Sequence, residues 1–390
     1  MNICIFSTTY FPNIGGAERF THGLASYLAE KNEKVYVLVP FDPKTLTNFS
    51  AKYKILKLRF LSPVRRFKKL LEAALLLNLS FYHLKYHFDI VQAVVLYEPG
   101  YIAALFGKLF KISVVLRPTG EDIQWDDKSQ YGKISNPPYQ NKVLKALKSS
   151  SAIIAISPTV RKNILDFTEG DLKSKMVDIP NGVDLDKFGN GEIREIGGIR
   201  EIRLLTVGRN VPKKDYPTMI KALSIVKKQI PNVVLYIVGG NQESLVPLIA
   251  ELGILNEVTL LGQVPKEEGD FSQFPSKEVI DLYRSSDLFV FSSLIEGCPN
   301  VILEAIAAGL PIVAANSQGT WDYVIDMETG LLFNPSDPKD MADKIVKLLA
   351  DKALYKQIKN NEQIYSKNFD WSKIAGKYLE LYNKLIWKSH

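Results

Sequence analysis

Glu296 and Glu304 stand eight residues apart in the stretch EGCPNVILE, on either side of a proline. Two such carboxylates can act as an acid/base pair on a sugar acetal, or they can grip a ligand. Pro299 and Asn300 read as a helix start, because proline is tolerated in a first turn where its missing N–H costs nothing. The VILEAIAA that follows is helix-forming, with Gly309 as the stop. Glu296 then belongs to the preceding loop and Glu304 to the helix, one turn in. Were the whole span helical, the two would lie ~12 Å apart at ~1.5 Å per residue, whereas a hydrolytic pair needs roughly 5–9.5 Å. The spacing favours opposite ends of one long polar ligand, with a helix N-terminus between them offering N–H groups to an anion. A sugar nucleotide has that shape. The plainer reading is a loop glutamate and a solvated helix glutamate with nothing in common.

Other stretches carry the matching chemistry. In NIGGAE, Gly15 and Gly16 follow an apolar strand and open a helix, where the lack of a side chain lets backbone approach an anion or a sugar ring. A tight turn is the equal alternative. The loop is not GxGxxG, which argues against a dinucleotide-dependent dehydrogenase despite Asp42 after the second strand. In GRNVPKK, which begins at Gly208, Arg209 and Lys214 could clamp the phosphates of a departing nucleoside diphosphate. Preorganised cations favour the transition state there, because the leaving group gains charge as its bond breaks. A solvated basic loop is the bland reading. Asp184-Leu-Asp186 matches a bare DxD, but beside Asn181-Gly182 it reads as turn and cap chemistry. With four histidines and no His/Asp/Glu cluster at ligand spacing, no metal is expected. Cys4 and Cys298 cannot form a disulfide framework and fit a reducing cytosol, with Cys298 as filler.

The elements needed to hold these residues are legible as well. The chain has 390 residues, 46% hydrophobic, enough for two domains with full cores. Short apolar strands alternate with amphipathic helices, the pattern of parallel α/β architecture. Strands are expected at Ile3–Ser7, Lys34–Val39, Ile90–Val95, Ser113–Arg117, Ala152–Ser157 and Met176–Ile179. A glycine- and charge-rich linker spans 189–202, and a second strand–loop–helix start follows at Arg203. Further strands are expected at Val233–Val238, Val258–Gly262, Leu288–Ser292 and Pro311–Ala315. The domains are thus 1–188 and 203–370, with an aromatic helix over 371–390. Two such units place ligands outside their strand C-termini. The N-terminus shows no basic leader, and the apolar run from Leu70 is too short to span a bilayer, so a cytoplasmic protein is expected. Residues 1–188 carry 26 Lys and Arg against 17 Asp and Glu, while 189–390 carry 23 against 25. Lys52–Lys69 alone has eight basic residues and no acid, which points to an anionic partner or merely solvates a strand edge and a helix face.

Taken together, EGCPNVILE followed by AAGLPIVA, TGLLF, FPNIGGAE, PNGVDLDKF and GRNVPKK resemble, in order and spacing, the family-four retaining glycosyltransferases. The resemblance implies the GT-B fold: two tandem Rossmann-like domains facing across a cleft, with a C-terminal helix crossing back to the first. It implies a nucleotide-diphosphate sugar as donor, no metal, and a glycan or lipid-linked acceptor rather than nucleic acid. An anionic membrane surface would then be the partner of Lys52–Lys69. Carried over residue by residue, Arg209 and Lys214 correspond to the diphosphate clamp and Glu296 to the acid on the donor-sugar hydroxyls. Glu304 corresponds to the acid on the ribose, and Gly15, Gly16, Gly208, Gly297, Asn300 and Val301 to the donor-binding backbone. Thr119 and Asp122 fall near the sugar or acceptor. There the family has histidine where RPTGED has Thr119, which removes any role needing an imidazole. A GT-B nucleotide-sugar epimerase and a catalytically inactive subunit of a transferase complex remain the alternatives.

Overall fold

A computed structural model describes residues 1–11, 15–43, 49–59, 66–127, 129–189, 200–264 and 275–387. Asn13 of the first glycine loop, most of the expected linker and residues 60–65 of the basic run lie outside this set. The chain forms two parallel sheets. The first runs β3-β2-β1-β4-β5-β6-β7, from β1 (Asn2–Phe6), β2 (Lys34–Val39), β3 (Lys54–Lys57), β4 (Ile90–Val94), β5 (Ser113–Arg117), β6 (Ala152–Ala155) and β7 (Met176–Asp178). The second runs β10-β9-β8-β11-β12-β13, from β8 (Ile202–Val207), β9 (Val233–Val238), β10 (Val258–Gly262), β11 (Leu288–Phe291), β12 (Ile312–Ala315) and β13 (Leu331–Phe333). Strand order reverses beside the first strand of each sheet, which opens a crevice at its C-terminal edge. Two Rossmann-like domains therefore face each other, as the sequence implies.

The expected strands are present with ends shifted by a residue or two, and two strands were not anticipated. β3 reads KILK and lies at the edge of its sheet. Lysines protect an exposed edge but erase the apolar signature of a strand. β13 has three residues, too few to show a period.

α1 (Gly16–Glu30) buries Phe20, Leu24, Ala25 and Leu28 at helical spacing. Against that face lies the C-terminal helix Trp371–Trp387. Trp371, Ile374, Tyr378 and Tyr382 join the core of the first domain, although the chain reaches them through the second. Phe20 sits between Trp371 and Tyr378, with ring centroids 5.9 Å from each. At about 1.5–3 kcal/mol per fully buried large apolar side chain, this return helix fastens the two domains together. On the other face of the first sheet lie α2 (Lys68–Tyr86) and α3 (Tyr101–Phe110), where the ring of His83 meets those of Phe106 and Phe110.

Candidate functional site

The loops at the facing strand ends enclose a cleft of about 860 Å³. Its first wall carries Gly15, Gly16, Thr119, Gly120 and Asp122, and its second carries Arg209, Lys213, Glu296 and Gly297. Residues expected from both halves of the sequence thus line one cleft, while Gly208, Lys214 and Val301 are not among its lining. Glu304 lies elsewhere, on a neighbouring groove with Arg19, Tyr27 and Asn300. Asn300 adjoins that groove, and its side-chain nitrogen lies 3.7 Å from where a Cβ on Gly16 would stand.

Glu296 is held from three directions. Its Oε1 accepts from Lys214 Nζ and from Ser293 Oγ, each at 2.7 Å, and its Oε2 accepts from Lys213 Nζ at 3.2 Å. Burial alone raises a carboxyl, but the two ammonium groups and the hydroxyl overcome it and hold Glu296 down to about 2. A carboxylate offers about four acceptor sites, so Oε2 retains capacity for a further hydroxyl donor. Burial pushes Lys214 below the usual lysine range, with Lys213 adding to it and Glu296 opposing it. The sequence placed Lys214 in an ordinary loop. It lies on a single 3₁₀ turn, Pro212–Lys214, with only 16% of its side chain exposed. Lys213 was not singled out, although its neighbour was, and only the fold shows that both adjacent lysines turn onto one carboxylate.

Asn300 begins the predicted helix, Asn300–Ala307, with Pro299 just before it and no side-chain cap. The Asn300 Oδ1 accepts from Asn181 Nδ2 at 2.7 Å, and the Cys298 carbonyl accepts from the same nitrogen at 3.2 Å. Asn181 in turn accepts from the buried Arg117 guanidinium, which stacks 3.6 Å over the Phe20 ring. This chain ties the end of β5 to the helix start across the domain boundary. Glu304, on that helix, accepts from Tyr283 Oη at 2.9 Å and is ion-paired with Arg19 of α1. Arg19 lies one position after GGAE, and nothing in the sequence distinguished it. Burial raises the Cys298 thiol to about 11.

Thr119 has a local role. It caps the short helix Gly120–Ile123, and its amide and hydroxyl both donate to Asp122 Oδ2, at 2.8 and 3.0 Å. Asp122 also accepts from Tyr139 Oη at 2.7 Å and Leu96 N at 3.2 Å. Burial nevertheless raises its carboxyl above the usual range against those donors. Beside it the domains touch through backbone: a Cβ on Gly297 would lie 2.7 Å from Gly120 N. Gln124 Nε2 donates to the Glu296 carbonyl at 2.8 Å across the same seam. Asp184 caps Leu185–Phe188 by accepting from Lys187 N at 3.3 Å, the reading its turn context favoured. Among the described residues no group of three or more His, Cys, Asp or Glu side chains is arranged to hold a metal ion.

Residues 14–187 match the family described as Glycosyltransferase Family 4, and residues 190–364 match Glycosyl transferases group 1. An uncharacterised glycosyltransferase of Methanocaldococcus jannaschii is 25% identical over 99% of both chains. A Campylobacter jejuni N-acetylgalactosaminyltransferase, whose name places its acceptor on diphospho-undecaprenol, is 27% identical over 73% of both. Among solved structures, Anabaena HepE in complex with UDP and glucose superposes with a TM-score of 0.73 at 20% identity, covering 98% of this chain and all of that one. That last likeness bears on the fold alone.

Proposed function

Because the chain belongs to the family 4, group 1 glycosyltransferases, we propose that it moves a sugar from a nucleotide-diphosphate sugar to a hydroxyl acceptor, with retention of configuration and without a metal ion. The observation that carries this reading is the convergence of Arg209, Lys213 and ionised Glu296 on one cleft between the domains, with Lys214 paired to the same carboxylate. As the bond from the anomeric carbon to the β-phosphate oxygen breaks, Arg209 and Lys214 stabilise the leaving diphosphate. The acceptor oxygen bonds to the same face, and its proton passes to the departing phosphate oxygen. No imidazole is required, which suits Thr119. The spare capacity of Glu296 accepts from a donor-sugar hydroxyl, Glu304 from the ribose, and the start of Asn300–Ala307 faces the phosphates. Closure of the seam excludes water from the reacting centre.

The acceptor in this reading is a lipid-linked glycan or glycolipid, met at a cytoplasmic membrane face; the acceptor named for the Campylobacter relative supports that choice. Thermal unfolding against UDP-, GDP-, ADP- and dTDP-sugars should find one class that stabilises the chain. A ligand at a hundred times its dissociation constant adds about 2.7 kcal/mol. Product analysis should then show net transfer. No stabilisation by any donor, or an epimerised donor with no transferred sugar, overturns the proposal.

A further inference from the structure

Half of the exposed large apolar side chains lie in one place. Of fourteen among the described residues, seven belong to α2 with its preceding residue and to α3: Phe67, Leu70, Leu77, Phe81, Leu84, Leu105 and Leu109. Leu77 is 70% exposed, Leu84 67% and Leu109 65%. At about 100° per residue, Leu70, Leu77, Phe81 and Leu84 fall within about 60° of arc on α2. This stripe faces outward, while Leu75, Leu79 and Tyr82 face the sheet. α3 adds Leu105 and Leu109 one turn apart beside it, in the same layer.

The margins of this surface are basic. Arg66, Lys68, Lys69, Lys85, Lys108 and Lys111 are exposed around it. The one acid within α2, Glu72, is ion-paired with Lys142, and α3 has none. By contrast, part of the Lys52–Lys69 run is already neutralised, Lys52 by Glu30 at 2.9 Å and Lys57 by Asp42 at 3.2 Å. An apolar stripe rimmed by cations complements the interface of an anionic bilayer, with leucine and phenylalanine entering the acyl boundary and lysines at the headgroups. No described helix is long and apolar enough to cross the membrane, so the contact is one of lying upon it.

The surface also reaches the cleft. Lys68, at the start of α2, lies 4.8 Å over the ring of Tyr97, and Tyr97 lines the cleft wall beside Tyr139, with ring centroids 4.8 Å apart. We infer that the outer faces of α2 and α3 form a docking surface for an anionic lipid bilayer, which brings the Tyr97 side of the cleft down to the membrane. The inference rests on the lipid-borne acceptor proposed above and assigns the contact to this apolar face and its basic rim, which takes Arg66, Lys68 and Lys69 from the Lys52–Lys69 run.

The full chain is sedimented with phosphatidylcholine vesicles, with and without phosphatidylglycerol. Wild type should bind the anionic vesicles and release as salt is raised. Leu77→Glu with Phe81→Glu should abolish binding, and both side chains are exposed, so folding should persist by circular dichroism. Neutralising Lys69, Lys85 and Lys108 to Gln should weaken binding by about fivefold per residue. Nucleotide-sugar binding in vesicle-free solution should be the same in all variants, which separates failure of this surface from failure of the donor reading. Undiminished vesicle binding by Leu77→Glu/Phe81→Glu overturns the inference. So does a wild type that ignores anionic vesicles, including one whose apolar face is instead covered by a second copy in sedimentation velocity.

Discussion

Arg19, on the first domain's α1, is ion-paired with Glu304, on the second domain's helix Asn300–Ala307. Only 17% and 3% of the two side chains are exposed. With Tyr283 donating to the same carboxylate, this is a buried contact between domains at the position proposed for the ribose.

In the proposed function, the nucleotide competes with Arg19 for Glu304. Breaking a buried pair by removing one partner costs about 3–5 kcal/mol. Arg19→Met should lower the unfolding midpoint, yet tighten nucleotide binding, because Glu304 becomes available. Calorimetric titration of the variant with the identified nucleotide tests this. Weaker binding would mean that Arg19 supports the nucleotide instead of competing with it.

The two cations of the proposed clamp should separate in their effects. Arg209→Ala should reduce turnover by roughly 10²–10³, the scale of one lost charge-stabilising donor, with little change in stability. Lys214→Ala should reduce turnover similarly and also destabilise, because Glu296 keeps only Lys213 and Ser293. Parallel measurement of kcat and of denaturant midpoints distinguishes them. Near-normal transfer by either variant at saturating donor removes that residue from the mechanism.

Glu296 also predicts a pH dependence. Its carboxyl falls from an ordinary value of 4.5 to about 2 on folding. A depressed acid contributes stability that is complete above the unfolded value and is lost as pH falls through the folded one. The shift corresponds to roughly 3 kcal/mol. The stability difference between wild type and Glu296→Gln should be constant above about pH 5.5 and shrink as the pH falls from there toward 2. Urea unfolding across that range reads it directly, and a flat difference would contradict the ion-paired geometry.

Thr119 should be dispensable for chemistry but felt in stability. Thr119→Val loses the hydroxyl bond to Asp122 and should cost about 1 kcal/mol, the usual scale of a capping residue. Transfer should fall by no more than about tenfold, since one neutral hydrogen bond is worth about 0.5–1.5 kcal/mol. Thr119→Ser should restore both. A wild type inert toward all donors, with activity gained by Thr119→His, would instead favour the inactive-subunit alternative.

The sequence by itself determined the layered α/β architecture, most strands, the helix that starts at Asn300, and the capping role of Asp184. These follow from local periodicity and turn chemistry, which neighbouring residues encode. β3 escaped because an edge strand needs lysines where a central strand needs valines. The placement of Arg209, Glu296 and Thr119 around one cleft came from motif order, not from any local rule. Only the tertiary structure decided that Lys213 joins Lys214 on Glu296, that Arg19 crosses to Glu304, and that Gly120 and Gly297 meet backbone to backbone. Those contacts join residues 82 to 285 positions apart, counted from Lys214 with Glu296 and from Arg19 with Glu304. The lysine pairs on Glu296 are fixed by the adjacency of β8 and β11 within the second sheet, whereas the Arg19–Glu304 and Gly120–Gly297 contacts are fixed by how the two sheets face each other across the cleft and by the return of Trp371–Trp387 to α1. The basic run from Lys52 points either to an anionic partner or to a solvated face; among its described residues, Lys52 and Lys57 are ion-paired while Lys68 and Lys69 open α2. Exposure is a property of packing, and an amphipathic pattern does not say which helix face the neighbouring elements will leave uncovered.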